Sequence, residues 1–406
     1  MSAGETRPKL ARAVLALSAV SFLTDVAADM VVPYLPLFLT VTLHASADWV
    51  GLVEGVAEAT AAVVKYISGR VSDRMPRKKP MVLLGYGVAN LVRPLLSLAV
   101  APWQVLAVRF VDRVGKGIRT APRDVLIARE TPEKHRAYAF GFHRGMDNLG
   151  AVFGPLVALA VLTATHDDLR MVFAATIVPG TLALLAVVLF VRETPAAETA
   201  ETRRAAADDA RAPLPGALKR FLLLVGIFSL GNASDGFLVL RAHQLGVATR
   251  WIPLAWGALS LLRAASTVPG GWVADRIGRA RALTLGWWLY AAAWLGFGLA
   301  TKPWMAAIAL LVYGAYYGLT EGTERALVAT LAGERSLGRA YGAFNLVAGL
   351  MVLPASVMFG KLLRWHGPRV AFGVGAAFAA LAAIGMMARS HQTGPPPTPS
   401  VPGLTR

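Results

Sequence analysis

The chain lacks cysteine entirely and has little charge, since Asp, Glu, Lys and Arg make up only 16% of its 406 residues. Without cysteine there is no disulfide framework, no thiolate nucleophile and no zinc site with Cys ligands. Soluble domains carry about 25% charged residues, so an ordinary soluble fold is excluded. The seven histidines are scattered and no Ser-His-Asp set is recognisable. We therefore expect no enzyme activity, no metal site and no cofactor.

Hydrophobic residues take the place of the missing charge. They form 55% of the chain, and the mean hydropathy is +0.53. Apolar stretches of about 20 residues, the length that crosses a bilayer core, recur almost from end to end. The pattern predicts an all-α membrane protein in contact with lipid. Twelve transmembrane helices fit at about 13–40, 48–68, 79–100, 103–128, 137–162, 169–191, 219–245, 252–272, 281–300, 303–330, 338–362 and 368–388.

Acidic residues are scarcer than basic ones, 24 against 41, which gives a formal net charge of +17. We expect no nucleic-acid partner, because the basic residues lie in short loops and follow membrane topology. In the first half, the basic clusters Arg7–Arg12 and Arg70–Lys79 fall on one side, whereas the opposite loop Thr42–Asp48 has none. This asymmetry predicts that both termini lie in the cytoplasm. The membrane itself is expected to be a bacterial plasma (inner) membrane.

A break in the apolar pattern divides the chain. Residues 192–218 are rich in Ala, Glu, Arg and Pro and cannot span a membrane. We predict an N-terminal six-helix half over 1–191, a cytoplasmic linker over 192–218 and a C-terminal six-helix half over 219–388. The Pro-rich residues 389–406 are expected to be a disordered cytoplasmic tail.

Two charged turns repeat each other at equal depth in the two halves. They are Gly69–Lys79 and Gly271–Arg281, and the second lies 202 positions after the first. In each, we expect the Gly to let a helix end approach a neighbour closely, the Asp to pair with a cation, and the trailing basic residues to hold the turn. Arg123 and Arg325 repeat at the same offset, which indicates that the chain is an internal duplication of one unit.

These turns resemble the signature of the major facilitator superfamily, which is Gly, three residues, Asp, Arg or Lys, one residue, Gly, then basic residues. Pro76 stands where the family usually has Gly, and Ala280 replaces the second basic residue of the second copy. The resemblance implies a major facilitator fold, with twelve helices in two six-helix pseudo-repeats that rock about a central site. It also implies a secondary transporter, which we expect to be a monomer.

The resemblance further implies a charge network at the signature, in which Asp73 stabilises the outward-open state. Within the network we expect Glu324 and Arg325 to form one latch. The conformational latch as a whole is predicted to comprise Gly69, Asp73, Arg74, Arg77, Arg119, Arg123, Asp124, Gly271, Asp275, Arg276, Arg279, Glu324 and Arg325.

A Gly-rich segment on the fifth span, with Gly150, Gly154 and Pro155, looks like the segment typical of exporters in this superfamily. The match is partial, because Val157 and Ala158 replace the paired glycines that usually follow. The alternative is a face of small residues that packs against another helix.

Four carboxylates inside the first two spans are the candidates for proton coupling. Asp25 and Asp29 share a helical face, as do Glu54 and Glu58. A charge in a span costs about 2.5–3.5 kcal/mol on insertion scales, and closely placed carboxylates hold protons more tightly. Asp25 or Asp29 is the first choice. Glu54 could instead be a solvated helix end, and Glu58 could pair with Lys65.

Substrate-cavity candidates come from both halves: Arg109, Arg113, Asn232, Asp235, Arg263 and Asn345. Arg109 and Arg113 lie on a basic stripe of the fourth span. They could bind an anionic substrate, or pair with nearby carboxylates as latches. Asp235 could instead pair with Arg241.

Several functions remain open at this level. The leading hypothesis is proton-coupled efflux of a small solute by alternating access, with protons as the coupling ion. The alternative is proton-coupled uptake of an organic anion or a metal chelate. A different class is a non-transporting membrane receptor or assembly subunit. The carboxylates within the spans argue against it, because placing a charge in the membrane costs free energy that a function must justify.

Overall fold

The structure is a computed structural model that describes residues 10–75, 77–131, 136–191, 193, 214–332 and 337–390. These residues form helices and no strand. Most of the predicted linker and the predicted tail lie outside them.

Twelve helical segments follow in chain order: α1 (Arg12–Asp29, continued by Leu35–Leu37 and Phe38–Thr42), α2 (Ala47–Arg74), α3 (Lys79–Val92, continued by Arg93–Leu98), α4 (Pro102–Arg129), α5 (Arg136–Ala164), α6 (Leu169–Ala175 and Ile177–Phe190), α7 (Gly216–Gly231 and Gly236–Gln244), α8 (Ile252–Ile277), α9 (Arg279–Leu299), α10 (Pro303–Ala332), and the stretch Leu337–Ser390, which Gly367 divides into α11 and α12.

Among the described residues, six helical stretches are long and apolar enough to cross a membrane by length and composition alone. They are α3, α5, α6, α7, α9 and the stretch that holds α11 and α12. The other segments, α1, α2, α4, α8 and α10, carry ionisable side chains along their length. Since such groups are expensive in lipid, we expect them to face the protein interior, and the structure places many of them there.

The pseudo-repeat predicted from the sequence reappears in the helix packing. In the first half α1 packs on α5, and α4 packs on both α2 and α3. In the second half α7 packs on the α11–α12 stretch, and α10 packs on both α8 and α9. The two halves therefore use the same helix pairs, as duplication of one unit requires.

Glycines permit the closest helix crossings, but not at the signature positions. A Cβ on Gly270 would lie 2.0 Å from the carbonyl oxygen of Gly318, so α8 and α10 touch there. A Cβ on Gly69 would be 3.7 Å from Ala121, and one on Gly271 would have nothing within 4 Å. The prediction that Gly69 and Gly271 allow close approach is therefore wrong. In the second half the crossing of α8 and α10 lies one residue before the signature Gly271, because Gly270 faces α10.

The turn between α2 and α3 is held by one lysine and one glutamate. The Lys78 ammonium donates hydrogen bonds to the carbonyls of Ser72 and Met75 at the end of α2. The backbone N–H groups of Lys78 and Lys79 donate to the Glu193 carboxylate at 2.6 and 2.8 Å, which satisfies free donors at the start of α3. We call this end of the bundle the linker end.

The two halves meet at the opposite end, here called the far end. A Cβ on Gly51 would lie 2.0 Å from the carbonyl oxygen of Ser356, so α2 lies directly against α11. An ion pair of 3.1 Å joins Asp48 to Arg364 across the same seam. These contacts close the far end and leave a cavity between the halves that extends towards the linker end.

Candidate functional site

The cavity between the halves has two adjoining lobes. The first lobe, of about 520 Å³, lies mainly against α1, α2, α4 and α5, with α7 and α11 on its other side. The second lobe, of about 600 Å³, lies between Asp29 on α1 and residues of α5, α8 and α10. Arg144, Asn148 and Ala151 line both lobes, so the two spaces are continuous.

Charge is distributed unevenly around the first lobe. All of its ionisable side chains come from the first half, whereas Ser229, Asn232 and Asn345 from the second half are neutral and polar. Five basic side chains outnumber three carboxylates, so the lobe favours negative charge. The ionisable set is Lys65, Lys116, Arg119, Arg123 and Arg144 with Asp25, Glu58 and Asp147.

The two carboxylates of α1 lie in different lobes. Asp25 lines the first lobe and Asp29 lines the second. The indole Nε1 of Trp256 on α8 donates a hydrogen bond to Asp29 Oδ1 at 3.2 Å. This bond joins the two halves near the middle of the bundle.

The glycines of the exporter-like segment lie directly beside these carboxylates. A Cβ on Gly150 would lie 2.8 Å from the Asp25 Cβ, and one on Gly154 would lie 2.8 Å from the Asp29 Cβ. Pro155 is buried next to Gly154 within α5. The small residues therefore let α5 pack closely on α1 and fix the height at which both carboxylates enter the cavity.

A buried ionic network lies behind the first lobe. The Arg109 guanidinium contacts Glu54 at 3.1 Å and Asp112 at 3.3 Å, and Asp112 also accepts from Arg93 at 2.7 Å. Arg93 donates further to the Thr24 carbonyl at 3.3 Å. Four helices are thereby linked through charge-assisted hydrogen bonds.

This network changes the interpretation of three sequence candidates. Glu54 is only 7% exposed and ion-paired, so it is not a solvated helix end. Arg109, at 2% exposure, is not among the cavity-lining residues. Arg113 likewise lies behind the wall, where it pairs with Glu58 at 3.2 Å. Within the described residues Lys65 forms no ion pair with Glu58, two helical turns away.

In the second half, one ion pair is surrounded by tyrosines. Asp235 accepts from Arg263 at 2.5 Å, from the Tyr313 hydroxyl at 2.5 Å and from the Tyr317 hydroxyl at 3.4 Å. Arg263 lines the second lobe and lies 3.9 Å from the Tyr317 ring centre, with Asp235 behind it. The alternative pairing of Asp235 with Arg241 is wrong, because Arg241 donates to carbonyls of the chain around α9 instead.

The predicted latch residues of the first half are engaged with immediate neighbours. Arg123 donates to Asp124 at 2.9 and 3.0 Å and to the Ser21 hydroxyl at 3.2 Å. Arg119 lies 4.4 Å from the Tyr86 ring centre. Arg77 is exposed, and the side chains of Asp73 and Arg74 lie outside the described part of the chain.

The second-half latch residues are not paired as the sequence suggests. Glu324 accepts from the Trp287 indole at 3.4 Å, whereas Arg325 lines the second lobe. The described residues contain no Glu324–Arg325 ion pair. Arg279 donates to the Thr330 hydroxyl at 2.7 Å. Arg276 is exposed, and the Asp275 side chain is outside the described set.

The neutral hydrogen-bond donors of the site are not marked by a charge pattern in the sequence. Trp256 on α8 is the partner of Asp29, and no charge pattern in the sequence marks it. Tyr313 and Tyr317 are four residues apart on α10 and share a face, which is a signal for a common partner. Arg93 lies where α3 changes to a 3₁₀ helix. No acidic residue at helical spacing in the sequence indicates its partner.

Comparison with known proteins agrees with this architecture. The family model described as Major Facilitator Superfamily matches residues 17–355. An uncharacterized MFS-type transporter of Methanocaldococcus jannaschii is 31% identical over 387 residues, covering 94% of this chain and 95% of the relative. The multidrug resistance protein MdtG of Enterobacter lignolyticus is 34% identical over 177 residues, covering 42% and 41%. A crystal structure of a bacterial homolog of the human lysosomal transporter Spinster, inward-facing and occupied, superposes with a TM-score of 0.73 at 17% identity, covering 94% and 96%.

Proposed function

The chain belongs to the major facilitator superfamily, and from that premise we propose that this transporter exports a small solute in exchange for protons. The observation that carries the proposal is the cavity itself. It lies between two halves that touch at the far end, and it extends towards the linker end. Asp25 and Asp29 of α1 both line it. Rocking of the halves would close the linker end and open the far end around the same space.

Coupling to protons is supported by the Asp29–Trp256 bond. An indole N–H can only donate, and it binds an ionised carboxylate more strongly than a protonated one. Protonation of Asp29 would therefore weaken a bond that joins the halves when the far end is closed. A ligand shifts a two-state equilibrium only through such a difference in interaction between the states. Asp25 is the second candidate for protonation, in the first lobe, whereas Glu58 is paired with Arg113 at 3.2 Å.

The direction and orientation of transport are supported by relatives, by glycines of α5 and by loop charges. The multidrug resistance name of the MdtG relatives and the exporter-like glycines favour efflux. The basic loops of the first half favour a cytoplasmic linker end in the plasma membrane, with both termini inside. The protein is proposed to work as a monomer. The basic first lobe supports the second candidate, uptake of an organic anion or a metal chelate, in the same cavity.

The test is substrate-driven proton flux in proteoliposomes, with pooled organic anions and lipophilic cations as substrates. We expect one pool to move protons, and Asp25→Asn or Asp29→Asn to abolish that movement at equal protein content. Asp167→Asn is the matched control, because Asp167 is exposed at the far end and its positive φ of 66° suits Asn. Solute movement that is unchanged in both variants, and that needs no pH gradient, would refute proton coupling.

A further inference from the structure

We propose that the first lobe contains an anion-binding subsite, formed by Lys65, Lys116 and Arg119, that takes the oxyanion of a small organic solute. This deepens the proposed function by naming a substrate class, and its role in transport rests on that function. The three side chains approach one space from α2 and α4. Their charges are not used by the ionic network that lies behind the lobe.

Lys116 is the centre of this subsite. Its side chain is exposed into the lobe at mid-height of the bundle. Its ammonium forms no hydrogen bond or ion pair within the described residues, because the nearest carboxylate on α2, Glu58, is engaged with Arg113. An ammonium in a confined cavity retains strong attraction for an anion, since protein walls screen charge less than water does.

Arg119 adds a buried donor that lacks a protein partner. The side chain is 5% exposed, and its guanidinium carbon lies 4.4 Å from the Tyr86 ring centre. Stacking holds the plane of the guanidinium, and Nη1 has no hydrogen-bond partner among the described residues. Buried donors are almost always satisfied in native proteins, and Arg119 lines the lobe. A small shift of its side chain would bring this unpaired N–H to an oxygen of a ligand.

The carboxylates of the lobe offset this positive charge only in part. Glu58 pairs with Arg113, and Asp147 lies 3.8 Å from Arg144. Asp25 is the remaining acid and is the coupling candidate. Lys65, which is exposed into the lobe and unpaired within the described residues, adds a further positive charge. A lipophilic cation would meet net repulsion here.

The second half supplies neutral groups that could orient such a ligand. The Asn232 carbonyl oxygen accepts from the Tyr290 hydroxyl at 3.2 Å. Its N–H₂ group is therefore the end left for a ligand. Asn345 and Ser229 line the same wall. An anion would thus be bound by charge from one half and by hydrogen bonds from the other, so that its binding draws the halves together.

The test is equilibrium binding of two dyes with the same ring system and opposite charge, carboxyfluorescein and rhodamine 6G. Binding is measured by fluorescence anisotropy on the full chain in a neutral detergent, without a pH gradient. We expect carboxyfluorescein to bind more tightly than rhodamine 6G. Lys116→Gln should raise its Kd about tenfold, a factor that corresponds to one lost charged contact. Lys65→Gln should raise it less.

Two further variants keep the test specific. Lys219→Gln removes an exposed charge of α7 outside the lobe and should leave Kd unchanged. Arg119→Lys keeps the charge but loses the planar fork, and we expect an intermediate loss. Equal effects of Lys116→Gln and Lys219→Gln would overturn the subsite, as would tighter binding of rhodamine 6G.

Competition identifies the source of the anion. Benzoate should displace carboxyfluorescein from the parent protein but not measurably from Lys116→Gln. If phosphatidylglycerol displaces the dye and benzoate does not, the lobe holds a lipid headgroup, and the solute proposal is wrong. Because binding is measured without flux, intact anion binding beside absent proton movement would refute the coupling proposal alone.

Discussion

The two halves share one helix arrangement but differ in the chemistry that fills it. Behind the first lobe, Arg109, Asp112 and Glu54 form a buried ionic network. In the second half the ion pair of Asp235 and Arg263 lies among tyrosines, and aromatic rings such as Phe228, stacked 5.0 Å from Trp287, pack around it. The two halves therefore place their helices alike but fill them with different side chains. Ionic contacts predominate in the first half and aromatic packing in the second.

Equivalent repeat positions make the division concrete. Glu54 in the first half corresponds to Trp256 in the second at the offset of 202, and Arg119 corresponds to Glu321. Trp256 donates to a carboxylate of the other half, whereas Glu54 accepts from an arginine of its own half. Contacts of ionised groups change with protonation or with an anionic ligand, and ring packing does not.

The largest expected difference between the halves concerns their buried arginines. Arg109→Ala leaves Glu54 without its partner and should destabilise the protein by about 3–5 kcal/mol. Arg263→Ala should have a smaller effect, because Tyr313 and Tyr317 still donate to Asp235. Thermal unfolding of the detergent-solubilised variants measures both. Equal losses of stability would mean that the tyrosines do not compensate.

A second comparison concerns packing in the aromatic half. Gly270→Ala places a methyl group 2.0 Å from the Gly318 carbonyl oxygen and should cost about 1–3 kcal/mol through separation of α8 and α10. Gly271→Ala is the matched control, because nothing lies within 4 Å of its Cβ position. The midpoint of thermal unfolding should fall only in the first variant. A fall in the second alone would reassign the crossing to the signature glycine.

The smallest expected effect concerns the bond between the halves. Trp256→Phe removes one hydrogen bond, worth about 0.5–1.5 kcal/mol, and keeps most of the ring packing. We expect it to favour opening of the far end and to weaken the dependence of that opening on pH, measured as the distance between spin labels at positions 45 and 366. Trp304→Phe, at an exposed position on α10, is the control. An unchanged pH dependence in Trp256→Phe would remove Asp29 from the coupling step.

The sequence determined the fold to a large extent. Length and spacing of the apolar stretches specify membrane-crossing helices, because a bilayer leaves few alternatives to a helix with internally satisfied backbone groups. The offset of 202 between Gly69 and Gly271 identified the duplication, and the helix pairs of the two halves confirm it. The intramembrane carboxylates Asp25 and Asp29 could be recognised as unusual because a charge in lipid is costly wherever the helix lies.

Tertiary structure alone decided which partner each of these groups has. Asp25 and Asp29 share one helical face, yet they enter different lobes, because α5 packs on α1 through Gly150 and Gly154 and α8 approaches Asp29 from the other half. Helical periodicity predicts a face but not what faces it. Pairing over a few ångströms depends on helix crossings and rotations that a local pattern does not encode. For that reason Asp235 binds Arg263 and not Arg241, which is nearer in the sequence.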